Sequence, residues 1–172
     1  MNLNEIIAGR QSVRQFQPDR EVSLDQEQAL LEAAVRAPSA GNVQPWHFYA
    51  VRDAALRQAL AAAAFGQSFV AQAPLVIVVC VDAERSAARY GDRGRTLYCF
   101  QDTAAAVTNI QLTAVDLGLG SCWVGSFDEA MAAEVLGLPA NLRPVAMLPI
   151  GYPARLATPR PRRPLSEVST RR

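Results

Sequence analysis

The chain contains no lysine and a single histidine, His47, among its 172 residues. All seventeen basic residues are arginine, so any anion site must be built from guanidinium groups or backbone amides. One histidine makes a His-rich zinc site or a Ser-His-Asp triad a poor reading. Cysteine is scarce and odd in number: Cys80, Cys99 and Cys122 form no C-x-x-C and each lies in or beside an apolar segment. They read as buried reduced thiols rather than disulfides or metal ligands. No apolar run reaches the roughly 18 residues that span a bilayer, and the longest, Pro74 to Val81, is strand length. Met1 to Arg10 carries Asn2, Asn4 and Glu5 and does not read as a secretory signal, so the expected compartment is the cytoplasm, with no membrane partner. Ten glycines and eleven prolines are too few for collagen or low-complexity sequence. A G-x-G-x-x-G string and internal repeats are both missing, which leaves a Rossmann dinucleotide site without support.

What is present is a globular composition, with 50% hydrophobic and 19% charged residues, expected to form one domain over residues 1–172. The net charge of +1 gives no global field to attract nucleic acid. Its distribution is uneven. Residues 1–154 hold eleven arginines against fifteen acids, a balance of −4, while residues 155–172 hold six arginines against Glu167, a balance of +5. The acidic body, and the lack of interleaved aromatics after Tyr152, argue against a basic-armed nucleic-acid binder.

Periodicity and punctuation predict the elements. Leu3–Gly9 is a short helix. Ser23 with Gln26 forms a capping box opening a helix to Arg36, with Leu30, Leu31 and Ala34 as its apolar stripe and Pro38 as its stop. Asn42–Pro45 is a turn-rich loop and Trp46–Arg52 a strand. Asp53 caps an Ala-rich helix to about Ala64. Leu75–Val81, wholly apolar and β-branched, predicts a strand buried on both faces. Thr96–Leu117 is the longest helix, apolar nearly all round, as expected at the centre of a fold or in a subunit interface. Ser121–Gly125 reads as a short strand, Asp128 as the cap of a helix ending at Gly137, and Pro144–Ile150 as the last strand. Four strands among about five helices indicate an α/β or α+β layered domain.

Four segments carry candidate chemistry. Arg10-Gln11-Ser12-Val13-Arg14 reads either as a solvated basic turn or as a grip for a phosphate or polar ring edge, since guanidinium presents a planar fork of donors. Ala37-Pro38-Ser39-Ala40-Gly41-Asn42-Val43-Gln44-Pro45-Trp46 is either a connecting loop or a close backbone approach to a heterocycle, whose mixed edge Asn42 and Gln44 would match. Leu117 to Asp128, centred on Cys122-Trp123-Val124-Gly125, is either two helix caps around a strand or a backbone pressed on a flat ligand. Pro159-Arg160-Pro161-Arg162-Arg163-Pro164-Leu165 is either a disordered basic tail or a stiffened presentation of cations to a phosphate.

Taken together these strings resemble the FMN-dependent nitroreductases, in particular the compact members of that family. R-Q-S-V-R-Q-F, A-P-S-A-G-N-V-Q-P-W-H-F, G-L-G-S-C-W-V-G-S-F-D and the terminal P-R-P-R-R-P-L-S-E-V stand in the family's order and spacing over essentially the whole chain. The resemblance implies an α+β fold: a central, mostly antiparallel sheet flanked by helices, in an intertwined homodimer with an exchanged C-terminal arm (153–172). It implies two FMN sites at the interface, each made from both chains. Arg10, Ser12 and Arg14 are expected at the phosphate, ribityl chain and pyrimidine edge. Gln11 stands where many members carry an Arg or His and removes a positive charge. Pro38, Ser39, Ala40, Asn42 and Gln44 are expected to edge the isoalloxazine from the other subunit. Trp123 and Val124 are expected against one flavin face with the Gly125 amide toward N5. Arg160 and Arg162 match the family's phosphate-gripping pair, with Arg163 as a further candidate.

The activity implied is NADH- or NADPH-driven reduction of a nitroaromatic, quinone or related oxidised small molecule, by ping-pong hydride transfer through flavin N5. No side chain is assigned as catalytic acid or nucleophile, and no metal is expected. His47 is expected to be a strand residue, and Phe65–Phe69 and Arg89–Thr96 to be the substrate-lid segments. The same scaffold also admits dehydrogenation, dehalogenation, flavin destruction, or flavin binding by a redox sensor without turnover.

Overall fold

The computed structural model describes residues 1–156 and 160–172; Pro159, which opens the basic string of the arm, lies outside the described residues. The fold is α+β, a four-stranded antiparallel sheet between two helical layers, with strand order β1-β2-β4-β3. The strands are β1 (Trp46–Val51), β2 (Leu75–Val81), β3 (Gly120–Ser121) and β4 (Arg143–Gly151). The helices are α1 (Leu3–Gly9), α2 (Leu24–Val35), α3 (Ala54–Ala63), α4 (Phe69–Gln72), α5 (Ala83–Arg93), α6 (Cys99–Asp116), α7 (Glu129–Leu136) and α8 (Leu165–Val168).

The period-2 rule of strands divides the interior in two. Leu75, Ile77 and Val79 of β2, with Ala146, Leu148 and Ile150 of β4, face one way and pack with Leu30 and Ala34 of α2 and Ala106, Val107, Ile110 and Ala114 of α6. Val76, Val78 and Cys80, with Met147 of β4, face the other way and pack with Leu60, Ala61 and Ala63 of α3 and Ala132 of α7. Every residue of β2 is buried, as its continuous β-branched run predicts.

The helix starts follow the side-chain caps. Ser23 and Gln26 form the predicted reciprocal capping box, and Asp53 and Asp128 each accept the backbone N–H three residues on. Gly137 closes α7 in the left-handed region at φ 60.

Two local expectations are revised, and a helix the sequence did not show is added. The strand read over Ser121–Gly125 is only β3, Gly120–Ser121. Beyond Ser121 the facing residue on β4 is Pro149, which has no N–H, so the ladder breaks and Cys122 donates alone to the Pro149 carbonyl at 3.3 Å. Pairing resumes two residues on, where Val124 and Met147 exchange both bonds at 2.9 and 3.0 Å. The long helix starts as a π-helical turn over Gly94–Tyr98 before α6 proper. The expected lid segment Arg89–Thr96 spans the end of α5, a break at Gly91 (φ 56, ψ −143), and the start of that turn. Its sequence hid this helix because α5 has no apolar stripe; it is held instead by the Asp82 cap and by Arg95, which pairs with Glu84 at 2.7 and 2.9 Å and with Asp92 at 2.6 Å.

Candidate active site

The N-terminal segment after α1 is laid along the sheet's β3 edge. Val13 N–H donates to the Ser121 carbonyl at 2.9 Å, Gln17 N–H to Tyr152 at 2.8 Å, and Ala154 N–H to Gln15 at 2.9 Å. Glycine permits this approach: a β-carbon on Gly120 would stand 2.6 Å from Val13 Cγ2. The Arg10–Arg14 segment is thereby set beside Cys122–Gly125.

Their proximity shows in the electrostatics of Cys122. Burial pushes this thiol up, while the guanidinium of Arg14, a hydrogen bond with Ser12 and the charge of Arg10 pull it back. Arg14 also lies over the Phe69 ring at 5.8 Å. Around this cluster Val124 is buried, but Trp123 next to it is 41% exposed, presenting an indole at the surface. The Gly125 N–H has no protein acceptor among the described residues. Gln11 Oε1 is buried without a donor. Two cations, a hydroxyl and an unpaired acceptor thus stand beside Cys122, and the chain runs on from it to an exposed aromatic and a free amide. A phosphate needs the first kind of group, and a pyrimidine edge with donor and acceptor needs the others. The residues present fit FMN.

The second segment is elsewhere. Ser39 precedes a 3₁₀ turn over Ala40–Asn42. Gly41, Asn42 and Gln44 all adopt positive φ, at 54, 58 and 54. Gln44 is a straight-chain residue for which this conformation is strained. The turn is pinned from outside: Asp102 Oδ1 accepts the Ala40 N–H at 3.0 Å, Arg89 donates to the Gly41 carbonyl at 2.7 Å, and Arg85 to the Val43 carbonyl at 2.8 Å. Gln44 N–H donates to Ser39 Oγ at 3.0 Å. Pro38, Asn42 and Gln44 are exposed, and Ser39 and Ala40 are half-buried.

This turn and the Arg10–Arg14 segment beside β3 occupy opposite ends of the sheet, with Val124 between them, opposite Met147 in the middle of β4. Trp46, just after the turn, pairs with Val81, which pairs with Arg143; Ser121 pairs with Ile150 at the other end of β4. That separation is about 20 Å along the strands at their usual rise. Helix α6 repeats the measurement, since Ala40 is tied to its first turn and β3 follows its last.

In the arm, Arg160, Arg162 and Arg163 are exposed. Arg163 pairs with Glu167 at 3.2 Å, and Leu165 of α8 is 72% exposed. His47 lies on edge strand β1, opposite Cys80, with its ring 4.9 Å from Tyr49. Among the described residues no group of three metal-ligating side chains forms, and no helix is long and apolar enough to cross a membrane. Sequence reasoning missed Asp102 and Arg85, and named Arg89 only as the start of a lid segment. They lie on helices, and only the contact with the turn reveals them.

Comparison with known proteins identifies the family. The family model described as "Nitroreductase family" matches residues 7–69 and 63–152. A protein of Archaeoglobus fulgidus, provisionally named NADH dehydrogenase/NAD(P)H nitroreductase, is 40% identical over 87% of this chain and 84% of its own. The NADH dehydrogenase of Thermus thermophilus is 33% identical over 92% and 90% of the two chains. The solved structure of the NADPH:FMN oxidoreductase of Vibrio harveyi, complexed with NAD+, superposes with a TM-score of 0.88 at 28% identity, over 98% of this chain and 76% of that one.

Proposed function

The chain belongs to the nitroreductase family, and from that premise we propose that it is an FMN-dependent NAD(P)H oxidoreductase working as a homodimer. Its substrates in this reading are nitroaromatic, quinone or related oxidised small molecules, exchanged with NADH or NADPH at one site in a ping-pong cycle. The observation that carries the reading is the segregation of the site's two halves. Arg10, Ser12 and Arg14 lie beside β3 at one end of the sheet, with Trp123–Gly125 running from there toward the middle of β4, and the Ser39–Gln44 turn stands at the other end. Two halves so far apart complete a site only if a second copy supplies the missing one.

Bound FMN supplies the electron transfer between nicotinamide and acceptor. The chain supplies placement and charge. Arg10 and Arg14 would hold negative charge at the phosphate and pyrimidine ends, with Ser12 and Gln11 as neutral partners. Val124 and Trp123 would cover one face of the flat ring, and the Gly125 N–H would donate to its centre. Asn42 and Gln44 of the second copy would read the ring's edge, with Pro38, Ser39 and Ala40 shaping the approach. Arg160 and Arg162, exposed in the arm, would close on the phosphate. The decisive test is anaerobic titration of the purified yellow protein with NADPH and then NADH. Bleaching of the flavin absorbance by either is expected; a flavin that stays oxidised with both overturns the enzyme reading.

A further inference from the structure

Asp102 is the most anomalous charged residue in the interior. It is 6% exposed, one turn into α6. Oδ1 accepts the Ala40 N–H at 3.0 Å, and Oδ2 is buried with no donor among the described residues. A carboxyl held by one neutral amide is poorly compensated for its loss of water, and burial pushes its pKa up. An apolar residue here would be the better choice for packing alone. What the carboxyl touches supplies another reason: Ala40 begins the turn in which Gly41, Asn42 and Gln44 are all held at positive φ.

Arg89 and Arg85 hold this turn by its carbonyls from the exposed face of α5. Asp102 is the anchor on its buried side and holds it by an N–H. The three contacts fix the peptide planes between which the Asn42 and Gln44 side chains project. A turn strained at Gln44 relaxes if one anchor is lost. We propose that Asp102 is a positioning residue for the cofactor edge, locking the Ala40–Gln44 turn in the shape that meets the flavin. This rests on the reading that the turn of one copy faces FMN bound to the other.

The test uses the full-length protein, stripped of flavin and titrated with FMN. Asp102→Ala should weaken FMN binding about fivefold to tenfold, the net worth of one ordinary intramolecular hydrogen bond, and should alter the visible absorption and circular dichroism of the bound flavin. Asp102→Asn, which keeps an oxygen for the Ala40 N–H, should restore both. Ala40→Pro removes the donor at a residue that opens a 3₁₀ turn after an extended Ser39 (ψ 151). It should match Asp102→Ala, and the double variant should be no worse than either single one.

A folded Asp102→Ala protein with wild-type FMN affinity and spectrum overturns the proposal, as does an Asn variant no better than Ala. If Asp102→Ala does not fold, the Ala40→Pro and Asn pair decides the same question. An Asn42→Ala/Gln44→Ala variant separates the two levels. If it weakens FMN while Asp102→Ala does not, the turn meets the flavin and Asp102 does not position it. If it too binds FMN like the wild type, the turn is not at the flavin and both readings fall together.

Discussion

Single residues set two predictions. The thiol of Cys80 is raised by burial from 9.0 to about 12, and burial raises Cys99 and Cys122 in the same direction. A thiol that keeps its proton in the folded state and loses it in the unfolded one stabilises the fold below the ordinary value. That advantage falls as pH climbs from 9.0 toward about 12. Denaturant midpoints should therefore drop across that alkaline window. A thiol reagent at neutral pH should label the native protein slowly and the denatured protein at all three cysteines. The second concerns Gly120, whose missing β-carbon admits Val13. Gly120→Ala should cost about 1–3 kcal/mol by overpacking and should weaken FMN retention, measured by thermal unfolding and by flavin released on gel filtration.

At the scale of elements, legibility followed the source of stability. Helix α2 could be read from Ser23, Gln26 and its apolar stripe because cap and stripe are local signals. Ser23→Ala should lower stability by about 1 kcal/mol, read from the denaturant midpoint. Strand β2 could be read because a run buried on both faces leaves no polar alternation. Helix α5 could not, since it carries no large aliphatic residue and its stability comes from the Asp82 cap and the Arg95 pairs. The true extent of β3 was equally hidden. What ends it is Pro149, a residue of another strand. The Arg10, Asn42 and Trp123 strings could be picked out as strings. Their arrangement in space is a matter of strand order, and the hold of Asp102 on Ala40 spans a sequence separation of 62, beyond any local pattern.

For the whole molecule, the acidic body and basic arm make different demands. Replacing Arg160 and Arg162 together with Ala should raise the FMN dissociation constant about tenfold or more, given ~1.5–3 kcal/mol for a hydrogen bond to a charged group, while thermal unfolding of the flavin-free protein stays as it was. Unchanged FMN affinity would place the arm outside the site. The roughly 20 Å between Ser121 and Trp46 has a genetic corollary. Consider a chain crippled at Arg10 and Arg14, mixed with another crippled at Asn42 and Gln44. Each is inactive alone, yet a hybrid pair gathers all the lesions into one centre and leaves the other whole. Complementation between two dead alleles, with activity regained only after subunits have exchanged, is what the proposed shared site predicts.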